Sequence, residues 1–128
     1  MAPALHLDVL PGTVAVARLD PSAAVPGWAA GEALSAVIRT AGELTIVCAA
    51  GAVPPDVRSE GPFRTLAVRG PLDFALTGIL AALAAPLADD GISIFALSTF
   101  DTDLLLVREH DLPAARAALE RAGHKVDG

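Results

Sequence analysis

The sequence contains little cysteine, few aromatic side chains and few basic ones. Cys48 is its single cysteine, which excludes a disulfide framework and any metal site built on paired cysteines. Aromatic residues make up 4% of the chain, none of them tyrosine, and the net charge is -6. RNA-binding sheets need exposed aromatics on a basic face, and an acidic surface repels phosphate backbones. We therefore expect no nucleic-acid partner.

Long uninterrupted apolar runs are lacking too, although the mean hydropathy is positive, +0.54. The longest run, 72–88, is interrupted by Asp73 and Pro86, whereas a membrane span needs roughly 20 apolar residues. The N-terminus has no basic residues ahead of its apolar ones, unlike a signal peptide. We expect a soluble, cytoplasmic protein with no membrane partner.

Residue patterns typical of catalytic and metal sites are missing as well. His6, His110 and His124 are scattered without metal-ligand spacing, so we expect surface residues at these positions. The chain has no G-x-S-x-G motif and no phosphate-binding glycine loop. Cys48 ends an apolar strand, which favours a small buried side chain over a nucleophile. We expect no enzyme, no catalytic residue, no metal and no cofactor.

The first half of the chain reads as short strands separated by loops rich in proline and glycine. Two β-prone runs, 4–10 and 13–19, predict a hairpin. Two more, 34–40 and 44–48, predict a second hairpin with a short glycine-containing connection. Residues 20–33 hold two prolines and two glycines, so we expect a loop there.

The second half, from Phe63, predicts a strand, a helix, two strands, a helix and a final strand. Asp73 is a candidate N-cap. The apolar residues that follow it recur at helical spacing: Leu76, Ile79, Leu80, Leu83 and Leu87. Residues 92–97 are apolar on both faces and predict a central, buried strand, with 103–107 as its hairpin partner. This order predicts an α+β, ferredoxin-like (βαββαβ) unit.

The first half resembles the second. Residues 34–54 align with 92–113 when a two-residue gap is placed in the connection, which puts Glu43 on Asp103. Residues 14–21 likewise align with 65–71. The first half thus reads as the same unit without its helices.

The repeat predicts two fused units. Residues 1–61 form the degenerate unit and 62–128 the complete one. Because a sheet without helices leaves one face uncovered, we expect the two to pack as one body.

The stretch GPLDFALTGILAALAAPLADDGISIFALSTFDTDLLLV, followed by DLPAARAALERAGHKV, resembles the ACT domain. More narrowly, it is similar to small bacterial tandem-ACT proteins related to the ACT modules of aspartate kinase and the CASTOR proteins. The most specific piece is GISIFALSTFDTDLLLV. The resemblance implies a regulatory protein that holds an amino acid or another small molecule where two units meet. Edge strands and the uncovered sheet also predict a homodimer.

The resemblance also implies a ligand position between the first strand–helix turn and the loop after the second strand. The corresponding residues are Asp73, Thr77, Gly78, Ile79, Ser98, Thr99, Phe100 and Asp103. A helix N-terminus suits an α-carboxylate, and Asp103 suits an α-ammonium group. The matching loop of the first half, 39–43, has no aromatic residue. We therefore expect one competent site per chain.

A second interpretation stays open, in which the module docks a partner protein and binds no ligand. Asp73 is then a helix cap, and Asp101 and Asp103 are ordinary turn residues. The sensor interpretation predicts stabilisation by an amino acid that Asp103→Ala abolishes. The docking interpretation predicts a stable oligomer that is indifferent to both.

Overall fold

The computed structural model describes residues 4–31, 33–73 and 77–128. The chain forms two compact units. The large unit comprises the N-terminal segment up to Leu10 together with Arg64–Gly128, and the small unit is Pro11–Phe63. The N-terminal segment, expected in the degenerate unit 1–61, therefore lies in the large unit.

The described elements are short strands and two α-helices. In chain order they are β1 (His6–Val9), β2 (Val14–Leu19), β3 (Ala36–Arg39), β4 (Leu44–Ala49), β5 (Ser59–Val68), α1 (Ile79–Asp89), β6 (Ile94–Ser98), β7 (Asp103–Arg108), α2 (Leu112–Arg121) and β8 (Lys125–Asp127). Among the described residues, no helix has the length and apolar character needed to cross a membrane.

The large unit contains the predicted ferredoxin-like order of strand, helix, strand, strand, helix and strand. Its sheet runs β6-β7-β5-β1-β8, so the N-terminal strand lies between β5 and β8. Leu7 pairs with Val68 on the antiparallel side and with Val126 on the parallel side. The predicted hairpin of 4–10 with 13–19 is wrong, because β1 pairs with β5 and β8, whereas β2 pairs with β4 and β5.

The strand β6 lies at the edge of the sheet, not at its centre as predicted. It pairs with β7, and its side chains are half-buried or exposed. The neighbouring β7 is the buried strand, with four consecutive buried residues from Leu104 to Val107. The apolar run at 92–97 therefore led to the wrong prediction: the buried strand of this hairpin is β7, and β6 is the edge strand.

Both helices pack on one core of the large unit. The fully buried leucines of this core come from β1, β5, β7 and the two helices: Leu7, Leu66, Leu105, Leu83, Leu87 and Leu119. The helix α1 begins at Ile79 and not after Asp73, because Gly78 is its N-cap and adopts a left-handed φ of 80°. The predicted stripe residue Leu76 lies outside the described residues.

Pro86 lies inside α1, where a proline removes one hydrogen bond of the helix. The carbonyl left without its helical donor is that of Ala82, four residues earlier. His124 supplies the replacement: its Nε2 lies 3.0 Å from the Ala82 oxygen. Its Nδ1 accepts a hydrogen bond of 3.1 Å from the Leu5 N–H, so Nε2 carries the proton. His124 is thus a buried structural residue, contrary to the surface position expected from the sequence.

The small unit has the sheet order β3-β4-β2-β5, with the part of β5 up to Phe63. The predicted hairpin of β3 and β4 is confirmed. The predicted loop before β3 contains one 3-10 turn, Gly27–Ala29, and its Trp28 packs against a core that includes Leu44 and Ile46.

The connections β3–β4 and β6–β7 have the same length. The last pair before the loop is Arg39 with Leu44 in one hairpin and Ser98 with Asp103 in the other. In each loop, the N–H of the first residue, a threonine, donates a hydrogen bond to the carbonyl of the residue three positions later. The N···O distance is 2.9 Å from Thr40 to Glu43 and 2.8 Å from Thr99 to Thr102. The predicted two-residue gap is therefore wrong, and Arg39 occupies the position of Ser98.

A partly exposed charge cluster lies where β1 meets β5 and β8. Arg69 donates to both carboxylate oxygens of Asp8, at 3.0 and 2.5 Å, and lies 3.4 Å from Asp127. His6 is 2.5 Å from the same Asp127 carboxylate. The hydrogen bond from Arg69 lowers the pKa of Asp8, and the hydrogen bond to His6 lowers the pKa of Asp127.

These lowered pKa values predict a pH-dependent contribution of Arg69 to stability. Carboxylates whose pKa is depressed in the folded state stabilise it above their unfolded pKa, about 4, and lose that contribution as the pH falls through the folded value. We expect Arg69→Gln to lower the Tm at pH 7 and to have little effect well below pH 4. Thermal unfolding across this range, with exposed Arg58→Gln as control, checks the prediction. An Arg69→Gln effect that persists unchanged in acid would contradict it.

Candidate functional site

The large unit contains a cavity of about 320 Å³ between the start of α1 and the β6–β7 loop. Eleven described residues line it: Leu72, Asp73, Gly78, Ile79, Leu80, Ser98, Thr99, Phe100, Asp101, Thr102 and Asp103. They come from the connection after β5, the first turn of α1 and the loop that joins two antiparallel strands. Two segments distant in sequence therefore form one concave surface.

The hydrogen bonds of the β6–β7 loop hold this surface together. Thr102 donates through Oγ1 to the Val68 carbonyl at 2.6 Å, and the Leu72 N–H donates to the Asp101 carbonyl at 2.7 Å. Gly70 lies at the crossing, where an added Cβ would stand 3.2 Å from both the Asp101 oxygen and the Leu72 nitrogen. The loop is thus fixed against the connection after β5.

The start of α1 forms one side of the cavity. Its N-cap is Gly78, a residue without a side chain that could cap the first turn. The Ala82 N–H donates to the Gly78 carbonyl at 2.9 Å, so the helix-bonded N–H groups begin only at Ala82. The N–H groups of Ile79 and Leu80 precede that point and have no partner within the helix. Together with the positive end of the helix dipole, they favour an anionic group here.

Three acidic residues, Asp73, Asp101 and Asp103, also line the cavity. None of its described lining residues is lysine, arginine or histidine. The Ser98 hydroxyl donates to Asp103 Oδ1 at 2.7 Å and fixes that carboxylate, which is partly buried. A ligand that carries both a carboxylate and an ammonium group matches the helix N-terminus and the acidic residues of this cavity.

The mouth of the cavity has an apolar rim. Phe100 is 83% exposed and Leu80 is 42% exposed. Phe100 lines the cavity as expected from the sequence, but most of its ring surface is open to solvent. Exposed large apolar side chains at the rim of a concave site are typical of surfaces that a ligand or another protein chain covers.

Seven of the eight residues predicted from the sequence line this cavity. The exception is Thr77, which is exposed and is not among the described lining residues. Sequence reasoning missed four lining residues: Leu72, Leu80, Asp101 and Thr102. Asp101 and Thr102 lie within the loop already singled out, and recognising it as a closed four-residue turn would have included them.

A second group of titratable side chains lies in the charge cluster of β1 and β8. Ligand atoms of His6, Asp8 and Asp127 lie within 4.8 Å of one another. Arg69 already donates to Asp8 and lies within ion-pair distance of Asp127. This guanidinium neutralises the carboxylates that a metal ion would need, so we assign no metal to the cluster.

Family models match both parts of the chain. A model described as the ACT domain matches residues 58–121, half of the chain. A second model, which describes an N-terminal domain, matches residues 12–56.

Three known proteins show similarity over different lengths. The crystal structure of protein Atu0741 from Agobacterium tumefaciens has a TM-score of 0.92 and 42% identity, covering 98% of this chain and 93% of that one. A structure of aspartokinase alpha and beta subunits has a TM-score of 0.66 and 14% identity, over 94% and 98% of the two chains, and shows the fold alone. The human protein CASTOR3P is 53% identical over 38 residues, which span 30% of this chain and 23% of that protein.

Proposed function

Because the chain belongs to the ACT-domain family, whose members are regulatory modules, we propose that it senses a small molecule, specifically an amino acid. The observation that carries the proposal is the cavity, which is lined both by a helix N-terminus and by a carboxylate that a serine hydroxyl holds in place. These are the two features that recognise the two charges of an α-amino acid. A cytoplasmic sensor of this kind has no catalytic step, and its output is a change in conformation or assembly.

In the proposed pose, the α-carboxylate accepts hydrogen bonds from the N–H groups of Ile79 and Leu80. The α-ammonium group donates to Asp103, whose orientation Ser98 fixes. Thr99 offers a further polar contact, and the ligand side chain lies against Phe100. Burial of part of the exposed Phe100 ring contributes a favourable hydrophobic term.

The charge of the cavity predicts the order of preference among amino acids. Three carboxylates and no basic side chain appear among the described lining residues. An acidic side chain on the ligand adds repulsion, whereas a basic one adds attraction. We expect basic amino acids to raise the Tm most, neutral ones less, and aspartate and glutamate not at all.

A thermal-shift screen of the 20 amino acids at millimolar concentration checks this order. At a ligand concentration of about 100 times Kd, binding stabilises the folded state by about 2.7 kcal/mol, which such a screen detects. Repeating the screen at high salt is the control, because the preference among charges should shrink as charges are screened. Absence of any shift, or a preference for acidic ligands, would contradict the proposal.

The exposed rim favours a homodimer in which the second copy covers the cavity mouth. Phe100 and Leu80 present apolar surface beside the ligand position. A ligand that fills the cavity would extend this surface, and so couple binding to association. This coupling would give the sensor its output.

The same exposed rim supports a second candidate function, a module that docks a partner protein without a ligand. Phe100 is then the anchor of a protein interface, since large exposed aromatics are enriched in such contacts. The two candidates differ in two results. A docking module keeps its partner contact when Asp103 is replaced, and no amino acid changes its Tm.

A further inference from the structure

In the small unit, the side chain of Arg39 is held by main-chain carbonyl groups. Its Nη1 donates to the Pro21 carbonyl, and its Nη2 donates to the Ala23 carbonyl at 2.8 Å. Both carbonyls belong to the connection that follows β2. The guanidinium therefore bridges the end of β3 and the segment after β2, as a bound cation would.

The segment that receives Arg39 is preorganised by its own hydrogen bonds. Asp20 Oδ1 accepts from the Ser22 N–H at 2.9 Å and from the Ser22 hydroxyl at 2.6 Å. The Ala23 N–H donates to the Asp20 carbonyl at 3.0 Å. None of these bonds involves Arg39. We therefore expect the turn to keep its conformation when the Arg39 side chain is shortened.

The same place in the large unit is the open cavity. Arg39 is the last residue of β3 before the loop, and Ser98 holds that position in β6. Pro21 follows β2 as Pro71 follows β5, and the next residues after Pro71, Leu72 and Asp73, line the cavity together with Ser98. The large unit has a short serine at this position, whereas the small unit has an exposed arginine whose side chain reaches the connection after β2.

We propose that Arg39 is an internal ligand, whose guanidinium occupies the small-unit counterpart of the cavity, and that shortening it creates a binding site for free guanidinium compounds. The carbonyls of Pro21 and Ala23 are the acceptors of that site. On this proposal, the small-unit counterpart of the cavity is closed because the Arg39 side chain occupies it, and not because its walls are missing. It does not depend on what the large-unit cavity binds.

The test is a rescue of Arg39→Ala by methylguanidinium, followed by ¹⁵N–¹H NMR of the full chain. We expect saturable shifts at the amides of residues 22–24 and 40 in the variant, with a Kd in the millimolar range, and a rise in Tm. The wild type should show none of these shifts, because its own guanidinium fills the site. N-methylurea, neutral and of similar shape, should bind at least tenfold more weakly.

A matched control is Arg58→Ala. Arg58 is another exposed arginine of the small unit, and it lies just before β5, outside both the connection after β2 and the β3–β4 loop. Methylguanidinium should not rescue it. If Arg39→Ala unfolds, Arg39→Met keeps the aliphatic stem and serves in its place. Equal shifts in wild type and variant, or no saturable shift at residues 22–24, would overturn the proposal. Shifts confined to the β6–β7 loop would overturn it as well, because they would show binding at the large-unit cavity and none beside Pro21 and Ala23.

Discussion

Replacing Asp103 with alanine is expected to raise the Kd of the stabilising amino acid roughly ten- to a hundredfold. The reason is the loss of a charge-assisted hydrogen bond to the ligand ammonium group, worth about 1.5 to 3 kcal/mol. The Ser98 hydroxyl donates to this carboxylate at 2.7 Å and holds it in place before the ligand arrives. Binding therefore loses little side-chain entropy at Asp103. Isothermal titration calorimetry of wild type and Asp103→Ala gives the comparison.

Two further variants make the result specific to this position. Asp103→Asn keeps the shape and removes the charge, and should lose most of the affinity that alanine loses. Glu120→Gln, an exposed acidic residue of α2, changes the net charge by the same amount away from the cavity and should leave the Kd unchanged. An Asp103→Ala protein that binds as tightly as wild type would remove the central residue of the proposed pose.

Replacing His124 with alanine is expected to lower the free energy of unfolding by roughly 2–4 kcal/mol. Two main-chain groups lose their partners at once, the Leu5 N–H and the Ala82 carbonyl. Each polar group left unsatisfied costs about 1–3 kcal/mol. The Ala82 carbonyl has no helical donor to return to, because Pro86 has no N–H. Urea denaturation followed by circular dichroism measures the loss.

His110→Ala is the control for this prediction. His110 is exposed, with 77% of its side chain open to solvent, so its removal should change the free energy of unfolding by less than about 0.5 kcal/mol. The double variant His124→Ala with Pro86→Ala should recover part of the loss, because an alanine at 86 restores the N–H for Ala82. A His124→Ala protein as stable as wild type would show that these two bonds contribute nothing.

Local patterns in the sequence predicted most of the fold. The β3–β4 and β6–β7 hairpins and the two helices of the large unit follow from periodicity and turn residues, which act over a few positions. The location of β1 did not follow, because it depends on pairing with β5 in the middle of the chain and with β8 near its other end. The start of α1 was misplaced because Asp73 has the residue type of a cap, whereas Gly78 has the conformation of one.

The candidate site was predictable to a similar extent. Family resemblance selected the loop and the helix start, and the structure brings seven of the eight selected residues to one cavity. The role of His124 could not be predicted from the sequence, because its partner is the Ala82 carbonyl, 42 residues away. That carbonyl lacks a helical donor because Pro86 has no N–H. The position of Arg39 was hidden as well, since the gap in the aligned repeat placed it one residue from its true counterpart, Ser98.

A crystal structure of the protein grown with the amino acid that stabilises it most tests the central claim directly. The account predicts difference density in the cavity, with the α-carboxylate at the N–H groups of Ile79 and Leu80 and the α-ammonium within hydrogen-bond distance of Asp103. Well-ordered density for the ligand at any other place, with this cavity empty, would contradict it.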